Sequence, residues 1–180
     1  MKNKNFTEVC LTQEVVFEGK VIRVQKDTVL LPNGQESTRE VVHHPGAVAV
    51  AALKDDELIM VRQYRYALGK ETLEIPAGKI DPGEEPQACA IRELREETGY
   101  QGELKFLGRF NTSPGFADEV IHIYLATNLV WAPLKPDEDE FIGIKAIPLD
   151  KAVEMVYKGE FQDAKTALGI LLADRNKKSN

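Results

Sequence analysis

The chain has 180 residues, of which 43% are hydrophobic and 29% charged, with a formal net charge of −6. That length and balance fit one folded domain with a sizeable core and exclude disordered or fibrous classes. The negative field repels phosphate backbones and no Lys/Arg stripe opposes it, so nucleic acid is excluded as a partner.

In chain order, MKNKNFTEVCLTQE holds no apolar run long enough for a secretory leader, and nowhere do about 18 apolar residues follow one another. The expectation is a cytoplasmic protein with no membrane span. Cys10 and Cys89 lack any CxxC or Cys/His spacing, which points to neither a disulfide framework nor a zinc site. EVVFEGKVIRVQKDTVLL and QESTREVV read as strands around the turn Pro32-Asn33-Gly34, a strong hairpin signal. This front end predicts a small antiparallel sheet over residues 1–45. AVAVAAL and LIMVRQYR, separated by the polar turn Lys54 to Glu57, predict a second hairpin buried on both faces. LEIPAGKI predicts one further strand that ends at the break Pro76-Ala77-Gly78.

From Pro86 to Thr98 the spacing predicts a helix, stopped by Gly99 at the C′ position. Ala88, Ile91 and Leu94 are expected to face the core, with the glutamates of RELREETG opposite them. ELKFLGRF and EVIHIYLATNLV then predict strands around the loop NTSPGFADE, WAPLKPDEDE an acidic loop, and FIGIKAIPL another strand. Leu149 to Tyr157 and Asp163 to Ala173 have helical spacing, and the tail RNKKSN is expected to fray. The sum is α+β, a mixed sheet with few helices.

Glu93, Glu96 and Glu97 fall within roughly a 100° arc of the helix, where like charges at i,i+3 and i,i+4 repel. Read with what precedes them, the order is Gly78, five residues, Glu84, seven residues, then Arg92-Glu93-Leu94-Arg95-Glu96-Glu97-Thr98-Gly99-Tyr100. Seven fixed positions at about 5–7% frequency each recur by chance about once in 10⁸–10⁹ starts. Such a cluster suits Mg²⁺, which takes hard carboxylate oxygens, neutralises a diphosphate and activates water. Gly78 lets the preceding strand end pass close to the site, and Arg92 can pair with the carboxylates and hold their rotamers.

This spacing resembles the Nudix box, Gly-x5-Glu-x7-Arg-Glu-U-x-Glu-Glu-x-Gly-U with U apolar; Tyr100 at the last U is a mild departure. The resemblance implies a mixed sheet sandwiched between helices over residues 46–180, and Mg²⁺-dependent hydrolysis of a nucleoside diphosphate linked to some X, with Mn²⁺ as a substitute. The implied metal ligands are the carbonyl of Ala77, Glu93, Glu96, Glu97 and Glu140. REVVHHPGAVAV, VRQYRYALGKETLEIPAGK, DEDEF and Pro114 of NTSPGFADE resemble the bacterial ADP-ribose pyrophosphatases over nearly the whole chain.

That group implies hydrolysis of ADP-ribose to AMP and ribose 5-phosphate, with GDP-mannose or a dinucleoside polyphosphate as the alternative substrate. Arg39 and Arg65 match arginines around the substrate diphosphate, where guanidinium forks suit phosphate oxygens. Glu119 matches a position near the terminal ribose, Pro114 marks its loop, and Phe116 or Phe17 stands available for stacking, since Lys20 follows Gly19 where some relatives carry an aromatic residue. Glu138 matches a mobile-loop glutamate acting as general base, with Glu96 as its rival. His43 and His44, adjacent on an extended segment, point to opposite faces and are not expected to share an ion. A homodimer with the N-terminal sheet exchanged is implied as well. A non-catalytic nucleotide sensor is the reading from a different class, and the intact box argues against it.

Overall fold

The computed structural model describes residues 6–136 and 140–179. The chain divides into two compact units, residues 1–45 with 111–120, and residues 46–110 with 121–180.

The first unit is a three-stranded antiparallel sheet of β1 (Val9–Glu18), β2 (Arg23–Leu30) and β3 (Glu36–His43), in that order. The Asn33-Gly34 turn closes the β2–β3 hairpin as its sequence predicts, Gly34 taking φ 83° and donating to the Leu31 carbonyl. The loop 111–120 is tied to this unit by backbone hydrogen bonds from Val42 N–H to the Phe116 carbonyl (2.7 Å) and from Asp118 N–H to the Val42 carbonyl (3.1 Å).

The second unit is built on β4 (Ala47–Lys54), β5 (Glu57–Arg65), β6 (Lys70–Glu74), β7 (Ala77–Lys79), β8 (Tyr100–Asn111), β9 (Val120–Trp131) and β10 (Gly143–Pro148). The path β10-β5-β4-β9-β8 forms the sheet, with β6 on β5 and β7 on β4; β4 and β9 run parallel while the other described registers of this sheet are antiparallel. The hairpin β4–β5 turns at Asp55 and Asp56, both left-handed. LEIPAGKI is two strands, not one. Pro76 has no N–H for a ladder, and its carbonyl instead accepts from Val50 (2.8 Å), so β6 leaves β5 and β7 joins β4.

Among the described residues three α-helices cover the sheet: α1 (Pro86–Thr98), α2 (Leu149–Tyr157) and α3 (Ala164–Lys178). Alternation along β4 divides the core. Val48, Val50 and Ala52 point to α1 and pack with Cys89, Ala90 and Leu94, whereas Ala49 and Ala51 point to Ala152, Ile170 and Ala173 of the other two helices. Each fully buried leucine, such as Leu94, contributes about 2 kcal/mol. The result is the expected α+β arrangement, a mixed sheet between helices. Two further expectations need correction. The helix α3 continues through the predicted frayed tail to Lys178, which pairs with Asp174 (2.8 Å) one turn back. On α1, Ala88 and Ile91 face solvent while Glu93 and Glu97 are buried with Cys89, Ala90, Leu94 and Thr98. The short residues at 89 and 90 let the helix lie close to the sheet, and that turns part of the carboxylate face inward.

Candidate active site

Helix α1 starts with Pro86 at its first turn, where no N–H is missed, and ends at Gly99 (φ 76°), whose N–H returns to the Arg95 carbonyl. Between these caps the chain aims its glutamates at β7. Gly78 explains the fit: a Cβ there would lie 1.9 Å from the Glu93 carboxyl carbon, so only glycine leaves room for that side chain. Glu97 Oε2 accepts the Ala77 N–H at 2.9 Å. The box therefore binds its own strand before it binds anything else.

Arg92 holds the remaining carboxylates. Its Nε and Nη2 fork onto Glu84 (2.9 and 2.8 Å), while Nη1 reaches Glu93 (2.7 Å) and Glu96 (3.0 Å). These hydrogen bonds carry the Glu84 carboxyl down to about 2, against burial. The other two carboxylates behave oppositely. Burial raises Glu93 to about 7, Arg92 opposing it and Glu96 and Glu140 adding repulsion. Burial raises Glu97 to about 8, partly offset by the Ala77 amide and reinforced by Glu93 and Glu140. Glu140, itself exposed, thus stands close enough for its charge to be felt by both.

Among the described residues no three His, Cys, Asp or Glu side chains converge as they stand, because Glu93 and Glu96 turn to Arg92 and Glu97 to the Ala77 amide. The chemistry of the donors nevertheless fits a hard divalent cation. Glu84, Glu93, Glu96, Glu97 and Glu140 outnumber the nearby Arg92 and Arg65, and two of them are buried with less compensating charge than their ionised forms require. Cys89, whose thiol is pushed up by burial, is a packing residue with its Sγ against the Lys79 carbonyl.

The other predicted residues fall in both units. Arg65 belongs to the second, where Nε and Nη2 fork onto the buried Glu74 (2.8 and 2.6 Å). Burial would raise the Glu74 carboxyl, yet Arg65, Lys165 and Thr72 hold it at about 2. Arg39 belongs to the first unit, where its fork takes Glu8. Glu119 accepts from Thr112 Oγ1 (2.6 Å) and faces His44 Nδ1 (3.5 Å); Pro114 and Phe116 are exposed on the same loop. The His43 ring faces Asp118 (2.6 Å) and Gln25, whereas the His44 ring faces Glu119; the His44 N–H donates to the same Asp118 (2.9 Å), so a carboxylate joins the pair. His122 lies on β9, its pKa lowered by burial and by Arg109. The predicted base, Glu138, lies outside the described residues.

Sequence reasoning passed over Glu74 and Lys165. A signal was present: Glu74 sits between the apolar residues Leu73 and Ile75, where a carboxylate requires partners.

A helix held by Arg92 over a glycine strand end, with buried glutamates in excess, is the Nudix arrangement. The NUDIX domain matches residues 42–168, and the nucleoside diphosphate sugar hydrolase N-terminal domain matches residues 8–42. The chain belongs to the Nudix family and is a Nudix hydrolase. It is 47% identical over 171 residues to an ADP-ribose pyrophosphatase of Bacillus subtilis (strain 168), covering 93% of this chain and 92% of that one. It is 46% identical over the same shares to a methanol dehydrogenase activator of Bacillus methanolicus. Among solved structures, an ADP compounds hydrolase superposes with a TM-score of 0.88 at 26% identity, over 98% of both chains. No helix among the described residues is long and apolar enough to cross a membrane.

Proposed function

We propose that the chain hydrolyses the diphosphate of ADP-ribose to AMP and ribose 5-phosphate with Mg²⁺, and with Mn²⁺ as a substitute. The observation that carries this reading is the surplus of buried carboxylate charge at Gly78; the substrate comes from the pyrophosphatase relative. Bound Mg²⁺ supplies charge neutralisation for the diphosphate and a more acidic water. The Ala77 carbonyl, Glu93, Glu96, Glu97 and Glu140 hold the cation. Arg92, forked on Glu84, holds the rotamers of Glu93 and Glu96 through a single nitrogen, from which a cation would take them. Arg39 and Arg65 take the diphosphate, while Glu119 serves the terminal ribose from the loop that Pro114 marks, and Phe116 or Phe17 stacks on the adenine. A Glu138 carboxylate oxygen takes the proton of the attacking water, with Glu96 as the other candidate.

The test is AMP release from ADP-ribose with Mg²⁺, beside GDP-mannose, diadenosine polyphosphates and NADH, with EDTA as control. A preference for ADP-ribose of about tenfold in kcat/KM, roughly 1.4 kcal/mol of transition-state discrimination, supports the reading. Cleavage of another compound in its place moves the substrate; no cleavage at all removes the catalytic reading. The Bacillus methanolicus relative favours a second role, stimulation of a methanol dehydrogenase, which methanol oxidation with and without the chain tests.

The working form in this reading is a cytoplasmic homodimer formed through residues 1–45. Supporting it, the edge strand β1 is exposed throughout, including Val9, Leu11, Val15, Val16 and Phe17. A groove of about 460 Å³ lies beside it, lined by Val16, Val24, Val42 and Phe116 together with Lys26 and Glu40. A monomeric mass at micromolar concentration together with full activity would sink the dimer.

A further inference from the structure

We propose that Glu74 and Lys165 are positioning residues that aim Arg65 at the substrate diphosphate. This rests on the reading of Arg65 given above. Arg65 ends β5, and the turn after it is closed by the Gly69 N–H on the Arg65 carbonyl (3.0 Å), which fixes its backbone. Its side chain is 38% exposed, and an arginine so placed would ordinarily sample many rotamers.

Glu74, with a side chain only 2% exposed, prevents this by gripping Nε and Nη2. Nη1 makes no hydrogen bond among the described residues and remains available to an anion. Glu74, which holds the guanidinium, stands three residues before Ala77, whose N–H Glu97 accepts (2.9 Å), and Arg65 and Glu97 act electrically on one another, so the arginine belongs to the neighbourhood of the box.

A carboxylate holding an arginine also cancels its charge, and Lys165 corrects for that. Its ammonium bridges Glu74 and Asp163, giving two cations for two carboxylates. Without it, Arg65 alone would face both anions, and its pull on a diphosphate would fall. The lysine is itself fixed by the start of α3. Asp163 accepts the Thr166 N–H as N-cap (3.1 Å), and Thr166 Oγ1 accepts the Ile75 N–H (3.1 Å), one residue beyond Glu74. Thr72 Oγ1 completes the Glu74 shell at 2.6 Å. A network of this kind in a purely structural role would hold α3 to the strand and leave substrate affinity alone.

The experiment is a double-mutant cycle with Glu74→Gln, Arg65→Ala and the pair, measuring KM and kcat on the diphosphate the wild type cleaves, with melting temperature alongside. Lys165→Met and Lys165→Arg are run in both Arg65 backgrounds. Glu74→Gln and Lys165→Met are expected to raise KM about fivefold or more with kcat within about twofold, and to do nothing further once Arg65 is alanine. Lys165→Arg is expected to restore most of the affinity. Mn²⁺ affinity in the absence of substrate, read by electron paramagnetic resonance, should stay at the wild-type value. A KM effect that persists undiminished in the Arg65→Ala background overturns the proposal, as does a fall in melting temperature with KM unchanged. An Arg65→Ala variant with wild-type KM overturns it too. Should Glu74→Gln fail to fold, the Lys165 variants decide the matter by the same KM criteria. Failure of the proposed activity shows in the wild type before any variant is made, so the two are separable.

Discussion

Gly78→Ala isolates the geometry on which the active site depends. Gly78 does not have a left-handed backbone, so alanine meets no conformational penalty and the whole effect is steric. The new Cβ would lie 1.9 Å from the Glu93 carboxyl carbon, where ordinary contact begins at 3.4 Å, so the carboxylate must retreat by about 1.5 Å. A side-chain end can move, but this one is buried and tied to Arg92. Stability should fall by about 1–3 kcal/mol, as for other overpacked sites, or about 2–12 °C in Tm at this chain length. Activity should fall further, because a ligand displaced by about 1 Å costs about 10²-fold. AMP release and thermal melting measure the two effects on one preparation. Gly143→Ala, whose Cβ meets nothing closer than 3.8 Å, is the control and should match the wild type. A Gly78→Ala enzyme within about twofold of wild-type kcat/KM would refute the claim that Glu93 has to stand where it does.

Glu97→Gln should move stability and activity in opposite directions. With a folded value of about 8 against an ordinary 4.5, the carboxyl favours folding when protonated, and that stabilisation is lost as pH rises between those values in metal-free protein. At about pH 8 the glutamine variant should therefore melt higher than metal-free wild type, by an amount on the order of a few kcal/mol, while its kcat falls by orders of magnitude. Equal melting with retained turnover would contradict both halves. Glu138→Gln should lower kcat with KM little changed, measured in steady state; an unchanged kcat shifts the base to Glu96. Glu74 has the reverse linkage. Its folded value near 2 contributes about 3 kcal/mol above pH 4.5 that disappears as pH falls toward 2, so in urea unfolding the gap between wild type and Glu74→Gln should narrow from about pH 5 to about pH 3.

The elements with local signals were legible in the sequence. Asn33-Gly34 marked its hairpin, and Pro86 and Gly99 bounded α1 to the residue, because turn and cap chemistry acts over a few positions. The inward turn of Glu93 and Glu97 was not legible. It depends on Cys89 and Ala90 letting the helix settle against β4, a fact of packing that periodicity does not carry. Pro76 was seen as a break but not as a change of partner from β5 to β4, since pairing over long separations leaves no local trace. The box glutamates, Gly78 and Arg92 were singled out by spacing alone, and the fold brings them into contact. Lys165 stands 91 residues from the Glu74 it neutralises, and no pattern in the sequence joins them.

Trp131, the chain's one tryptophan, ends β9 with its indole edge-on to Tyr100 at 5.3 Å and over Gly99, where a Cβ would collide with it at 2.3 Å. The next residue is bonded to the same helix end, Ala132 N–H to the Gly99 carbonyl (2.9 Å) and Arg95 Nε to the Ala132 carbonyl (2.8 Å). Indole emission from this protein thus has a single address, the junction between the box helix and the segment leading into the acidic loop. Titrating Mg²⁺ or nucleotide while watching that emission follows the junction in solution, without a label and without turnover.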